Sequence, residues 1–210
     1  MSKAGDTGIP YAKFVATLCK TGDTLLGELT GSKTHLWHMA SGICDEAGSL
    51  LLWIREYQLG KINPAATREH VIDDLGDINF YDTGIGNAEE FASQLSTEQR
   101  VNIFNMIAER GLTDDADALR GINTETTAGM QTLLEVATDV VIAAGSLADV
   151  IKRHVIYDKE LSREEVEVER LVLRNATGAV RMLWWSSAAE IETYNRQKLD
   201  ERFQQLIGSK

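Results

Sequence analysis

The stretch HMASGICDEAGSLLLWIREY, from His38 to Tyr57, is followed after a break by HVIDDLGDINFY, from His70 to Tyr81. Both stretches place apolar residues at helical spacing, and both carry acids. Residues three apart on a helix share a face, so Asp74 and Asp77 point toward one place. Glu46 of the preceding helix faces them across a hairpin. Because hard cations prefer carboxylate oxygens, a helical hairpin of the two stretches could hold a metal ion; the alternative is that the acids are simply solvated on exposed helix faces.

A related pattern recurs later in the chain without the acids. It reads VVIAAGSLADVIKRHVIYDKELSREE, from Val140 to Glu165. Ala143 and Ser146 lie at the positions that match Glu46 and Ser49 of the first copy. The positions that match Asp74 and Asp77 fall near Gly178 and Arg181. No metal is expected in this second copy. Arg181 has two interpretations, a source of positive charge for a ligand or the partner of a neighbouring acid.

The composition predicts an all-α protein. Of the 210 residues, 43% are hydrophobic and 25% are charged, which is ordinary for a globular chain. Pro10 and Pro64 are the two prolines, so long helices run without interruption between breaks. The formal net charge of −11 disfavours unspecific DNA or RNA binding, because such binding needs Lys and Arg to neutralise phosphates. Any nucleotide is then expected to bind through a cation.

The helical periodicity divides the chain into two repeats joined by a connector. The expected units are residues 1–110 with the acids, the connector 111–127, and residues 128–210 as the degenerate copy. The predicted segments are one or two short helices within Tyr11 to Leu29, a helix from Thr34 to Tyr57, a helix capped by Thr67 that ends within Asp82 to Asn87, a helix from Ser96 to Arg110, a helix from Ala128 to His154, a helix from Ser162 to Glu192, and an amphipathic turn or two through Phe203.

The segments LTGSKTHLWHMASGICDEAGSLL and REHVIDDLGDINFY together resemble the MazG-like nucleotide pyrophosphohydrolases of the all-α NTP pyrophosphatase group, in particular the short bacteriophage forms. That family's signature is a helix with Glu-x-x-Glu, a turn, and a helix with Glu-x-x-Asp, which together bind magnesium. In the second half, GSLADVIKRHVIYDKELSRE and NRQKLDERF resemble the family's helix-turn segment and its closing Asn-x-x-Lys-Leu motif. The resemblance implies a helical bundle of two MazG-like repeats packed as a pseudo-dimer.

The resemblance also implies a set of site residues. Mg²⁺ is the implied cofactor, and Glu46, Asp74 and Asp77 are its implied ligands and the catalytic acids. This sequence departs from the signature, because Ser49 stands where the family has its second Glu and Asp74 is one methylene shorter than the family's Glu. The residues implied to contact the nucleotide or its phosphates are His38, Asn195, Lys198 and Arg202.

Several of these side chains keep a second interpretation. His38 lies eight residues before Glu46 on about the same helical face, where it contacts a nucleotide or serves a structural role. Asn195, Lys198 and Arg202 recur on one face, which either reaches phosphates or is simply exposed to solvent. The tryptophans have the same ambiguity, as core residues or as stacking platforms for a base: Trp37, Trp53, Trp184 and Trp185.

Three functions follow as expectations. The first is Mg²⁺-dependent hydrolysis of an NTP or dNTP to a monophosphate and pyrophosphate. The second, motivated by Ser49 and the acid-free second copy, is a catalytically inactive protein that binds a nucleotide or sequesters a nucleotide signal. The third is a helical bundle with a structural or protein-interaction role. The expected partner is a nucleotide, and self-association into a homo-oligomer is compatible with the sequence.

The expected location is the cytoplasm, that of the host if a bacteriophage encodes the chain. Cys19 and Cys44 lack CxxC or metal-site spacing, and the sequence has no secretory signal. No apolar stretch reaches the roughly 20 residues that a membrane span needs, so no membrane partner is expected.

Overall fold

The computed structural model describes residues 10–110, 119 and 121–208 of the chain. These residues form helices joined by turns and contain no strand, which confirms the predicted all-α class. None of the described helices is long and apolar enough to cross a lipid bilayer. The helices are α1 (Tyr11–Leu18), α2 (Gly22–Glu28), α3 (Gly31–Gln58), α4 (Pro64–Gly86), α5 (Thr97–Glu109), α6 (Thr127–Tyr157), α7 (Arg163–Leu183) and α8 (Ala188–Gly208), with a short 3₁₀ turn at Glu89–Phe91.

Two helical hairpins, α3 with α4 and α6 with α7, form the core of the bundle. Helix α3 packs along both α4 and α6, and it is therefore the central element of the fold. Its buried residues recur in alternating steps of four and three, as do those of α6: Leu36, Ala40, Ile43, Ala47, Leu50 and Ile54 in α3, and Leu133, Ala137, Val140, Ala144, Leu147 and Ile151 in α6. This spacing is that of a coiled-coil seam.

Side-chain caps fix where the long helices begin. Thr30, Asn63, Thr126 and Ser162 each accept a hydrogen bond from a backbone N–H in the first turn of the helix that follows. The prediction that Thr67 caps α4 is wrong, because Asn63 caps it and Pro64 occupies its first turn. Thr67 lies inside the helix, fully buried, and its hydroxyl donates to the Asn63 carbonyl at 2.9 Å.

The C-terminal end of the fold differs from the prediction of one helix from Ser162 to Glu192. Helix α7 ends at Leu183, and Trp185 adopts a left-handed backbone conformation with φ of 54°. A bulky residue rarely adopts this conformation, and here it turns the chain into a separate helix α8. The amphipathic turn or two predicted through Phe203 is thus part of a helix of 21 residues that packs against α4.

The end of α4 agrees with the prediction, because the helix ends at Gly86, within the stretch from Asp82 to Asn87. Glycine is needed there, since a Cβ atom at Gly86 would lie 2.7 Å from the Arg170 guanidinium. This close approach lets Arg170 Nε donate to Asp82 Oδ1 at 2.7 Å, while Arg174 Nε donates to Asp82 Oδ2 at 2.8 Å. A buried ion pair therefore connects α4 of the first hairpin to α7 of the second.

Replacing Asp82 is expected to test this connection. The Asp82→Asn substitution removes the negative charge that faces two guanidinium groups, and we expect a loss of about 3 kcal/mol in the free energy of unfolding. The matched control is Glu192→Gln, which breaks an exposed pair with Arg196 and should change stability by less than about 0.5 kcal/mol. Urea denaturation followed by circular dichroism measures both, and equal effects of the two substitutions would contradict this role of Asp82.

Candidate metal and phosphate site

Helix α8 approaches α4 closely over one glycine. A Cβ atom at Gly76 would lie 2.9 Å from the Cβ of Asn195, so a larger residue at position 76 would push α8 outward. At this approach Asn195 Nδ2 donates to Asp77 Oδ1 at 2.7 Å, and Lys198 Nζ donates to Asp77 Oδ2 at 2.7 Å. Lys198 also bonds Asp73. Two of the residues predicted to bind phosphate therefore contact a predicted metal ligand directly.

Asp74 lies deeper than the other acids and is only 5% exposed. Its Oδ2 atom has no hydrogen-bond partner among the described residues. Burial raises the pKa of Asp74 to about 8; the Ser49 hydroxyl opposes the shift, and Glu46 and Asp73 add to it. At neutral pH this carboxyl group is therefore largely protonated.

Glu46 faces Asp74 from α3 and shares its electrostatic environment. Burial raises the pKa of Glu46, and the negative charges of Asp77 and Asp45 raise it further, while Lys198 lowers it. Glu46 thus lies close enough to Asp74 to raise its pKa, and close enough to Asp77 to feel its charge. Carboxylates gathered in this way are costly unless a cation offsets their charge.

Ser49 belongs to a small network that the sequence did not reveal. The Trp53 indole Nε1 donates to Ser49 Oγ at 3.1 Å, and the Trp53 ring stacks on the His70 imidazole with centroids 3.7 Å apart. The residue that replaces the expected acid is therefore held in place by an aromatic pair. The stacking on His70 occupies one face of the indole, so this tryptophan joins α3 to α4.

Tyr81 forms the opposite side of the acidic cluster. Its ring lies edge-on to His38, with centroids 5.9 Å apart, and packs against Gly42, where a Cβ atom would lie 2.6 Å from the ring. Burial raises the pKa of the Tyr81 hydroxyl, Glu46 raises it further, and Arg202 lowers it. His38 therefore contacts Tyr81, and the charge of Arg202 acts on the Tyr81 hydroxyl. The sequence signal for Tyr81 is its position four residues after Asp77.

The donor atoms of the acidic cluster are of the type that a hard divalent cation prefers. The acids offer carboxylate oxygens, and Asp74 Oδ2 is a buried acceptor without a partner. Within residues 10–110 and 121–208, however, no group of three or more His, Cys, Asp or Glu side chains has an arrangement that would hold a metal ion. The Lys198 ammonium group lies against two of the acids, Asp73 and Asp77.

The second hairpin differs from the first at the matching positions. Ala143 is buried in the seam between α6 and α3, and Ser146 and Gly178 carry no charge. Cys44 Sγ of α3 donates to the Ala144 carbonyl at 3.5 Å beside this point. The acid-free positions of the second copy therefore belong to the packed interior or its edge.

No family model, curated protein or solved structure matches the chain. What defines the site is its own geometry, an acidic cluster on α3 and α4 to which α8 adds a lysine and an amide. The tryptophans contribute little to it apart from Trp53. Trp184 is buried and Trp185 is 76% exposed at the turn between α7 and α8.

The shifted pKa of Asp74 predicts a specific pH dependence of stability. Its pKa is about 8 in the folded chain against an ordinary value of 3.8, so the folded state binds the extra proton. The corresponding stability is present at low pH and is lost as the pH rises toward 8. Asp74→Asn removes this loss, and its stability relative to the unsubstituted protein is expected to rise by on the order of 4 kcal/mol between pH 5 and pH 8.

The measurement is urea denaturation at several pH values in a buffer with a chelator. Asp200→Asn is the matched control, since it removes the same charge from an exposed position of α8. Parallel curves for the protein and for Asp74→Asn across this pH range would show that Asp74 titrates normally.

Proposed function

We propose that this chain is a Mg²⁺-dependent nucleoside triphosphate pyrophosphohydrolase, which converts an NTP or dNTP to a monophosphate and pyrophosphate. One observation carries the proposal: two of the predicted phosphate-binding residues, Asn195 and Lys198 of α8, lie against the predicted acid Asp77 of α4, although they are distant from it in sequence. His38 contacts Tyr81 beside this cluster.

In this proposal the bundle consists of two MazG-like repeats that pack as a pseudo-dimer. The first repeat, α3 with α4, holds the metal, and the second, α6 with α7, is its degenerate counterpart. The coiled-coil seam between α3 and α6 supports this arrangement, because each hairpin contributes its first long helix to the same contact. Helix α8 returns from the second repeat to the site of the first.

Glu46, Asp74 and Asp77 are the residues that would hold Mg²⁺. The ion supplies positive charge that stabilises the phosphate oxygens as the bond between the α and β phosphates breaks. The unpartnered Oδ2 atom of Asp74 supports this assignment, since a buried acceptor without a partner is costly.

The remaining residues bind and orient the phosphates. Lys198 and Arg202 offer cationic donors on one face of α8, and His38 adds an imidazole beside Tyr81. Glu46, whose pKa is raised, is suited to take the proton of the attacking water. The water oxygen bonds to the α phosphorus, and pyrophosphate leaves with the electrons of the bridging bond.

A second function, binding of a nucleotide without turnover, is favoured by two observations. Ser49 brings a hydroxyl to Asp74 where the family signature has a carboxylate, so the site has one fewer negative charge. Lys198 also holds Asp77 in an ion pair. Both features weaken the attraction for Mg²⁺. Saturable binding of a nucleotide that stays intact would establish this alternative.

Phosphorus NMR with Mg²⁺ and a panel of ribo- and deoxyribonucleoside triphosphates tests the proposed reaction. Growing signals of a monophosphate and pyrophosphate are expected. Glu46→Gln and Asp77→Asn should each lower the rate by at least about a hundredfold, because each removes a carboxylate from the reacting centre.

Glu135→Gln serves as the control, since Glu135 lies on α6 near its start, where Gln131 Nε2 of the same helix donates to its Oε1 at 2.9 Å. Its rate should equal that of the unsubstituted protein. Triphosphate signals that remain unchanged in the presence of Mg²⁺ would refute the hydrolase, and full activity of both acid substitutions would refute this site.

A further inference from the structure

The ammonium group of Lys198 lies against two acids of the candidate site. It donates to Asp77 Oδ2 at 2.7 Å and bonds Asp73, the carboxyl group one turn earlier on α4. Its side chain is only 16% exposed. Asn195, one turn earlier on α8, donates to the other oxygen of Asp77. Both oxygens of this predicted ligand are therefore occupied by groups from α8.

The charges around Lys198 favour a bound cation strongly. Two carboxylates, Asp73 and Asp77, contact this single ammonium group. The lysine nevertheless reaches only part of the cluster. Asp74, more than nine-tenths buried, keeps an Oδ2 atom without a partner among the described residues.

We propose that Lys198 is an internal cation that competes with a divalent metal ion for Asp73 and Asp77, so that metal binding frees its ammonium group to bind an anion. The inference rests on the proposed function, because it concerns the same acids. It goes beyond that function by making Lys198 the element that couples the two ligands. A divalent ion carries twice the charge of the ammonium group.

The coupling follows from mutual exclusion at Asp77. While Lys198 contacts this carboxylate, its positive charge is neutralised and a phosphate gains little by approaching it. A metal ion that binds Asp77 displaces the ammonium group of the lysine from its partners. The ammonium group lies at the end of a flexible side chain, so it can then move to another ligand. Metal and phosphate then bind with positive cooperativity, and each raises the affinity of the other by the same factor.

The experiment measures Mn²⁺ binding by electron paramagnetic resonance, with no nucleotide present. Lys198→Met removes the competing charge, and we expect its affinity for Mn²⁺ to rise by about tenfold or more. Arg196→Met is the matched control, because it removes one positive charge from an exposed position of the same helix. Its affinity should stay within about twofold of the unsubstituted protein, since exposed charges are screened.

A second measurement uses the protein without substitution. Isotope-labelled lysine gives an NMR signal for the Lys198 ammonium group, whose exchange with water is slow while it is held by two carboxylates. Saturating Mg²⁺ is expected to abolish or shift this signal in proportion to metal binding. The signal is assigned to Lys198 by its absence from the spectrum of Lys198→Gln. This readout keeps the inference testable even if Lys198→Met folds poorly.

The outcomes separate the inference from the proposed function. Equal or weaker Mn²⁺ binding by Lys198→Met, or an ammonium signal that saturating Mg²⁺ leaves unchanged, would overturn the competition even if the protein hydrolyses triphosphates. Tighter binding in Lys198→Met together with unchanged triphosphates would support the competition while refuting the hydrolase. Absence of Mn²⁺ binding in every variant would overturn both.

Discussion

The fold depends on the burial of α3 against two partners at once. Its small residues Ala40 and Ala47 lie in the same stripe as Leu36, Ile43 and Leu50, and α6 presents an equivalent mixture. Alternation of small and large side chains lets two helices approach closely while their larger residues interlock. Because α3 is fixed along α6, the remaining face of α3 determines where α4 lies. The apolar contact of α3 with α6 therefore determines where the acids of the site lie.

The site concentrates negative charge beside that apolar core, which has an energetic cost. Desolvation is the first cause of the raised pKa values of Asp74 and Glu46, ahead of the repulsion between acids. The basic and amide groups that lower this cost come from α8, which can approach only because position 76 is glycine. Charge and packing are thus linked. Gly76 has no side chain and therefore lets α8 approach α4, and α8 then brings the polar residues Asn195 and Lys198 to the acids. A site of this kind combines limited stability with a strong tendency to take up a cation.

The sequence predicted the helical class and most helix ends, because hydrophobic periodicity and breaks are local signals. It misplaced the start of α4 at Thr67, where the Asn63 cap and Pro64 were the stronger pair of signals. It also missed the turn at Trp185, because a left-handed conformation of a tryptophan is imposed by the surrounding packing rather than by local preference.

Within the site, the acids and the α8 residues were expected from the resemblance of their motifs to a known family signature. The pairing of Lys198 with Asp73 and Asp77 was not, since it depends on how closely α8 approaches α4. The same holds for Tyr81 beside Gly42 and for the contact of Trp53 with Ser49. Such contacts cross between helices, and a single sequence carries no direct signal for them.

The distance along the chain between Asp77 and its partners has a consequence for biosynthesis. Asn195 lies 118 positions after Asp77, and Lys198 lies 121 positions after it. As domains form progressively during translation, the first hairpin leaves the ribosome long before α8 exists. Until α8 is made, the acids of this hairpin must be solvated by water or paired with a cation from solution. The finished arrangement around Asp77 is therefore among the last features of the molecule to be completed.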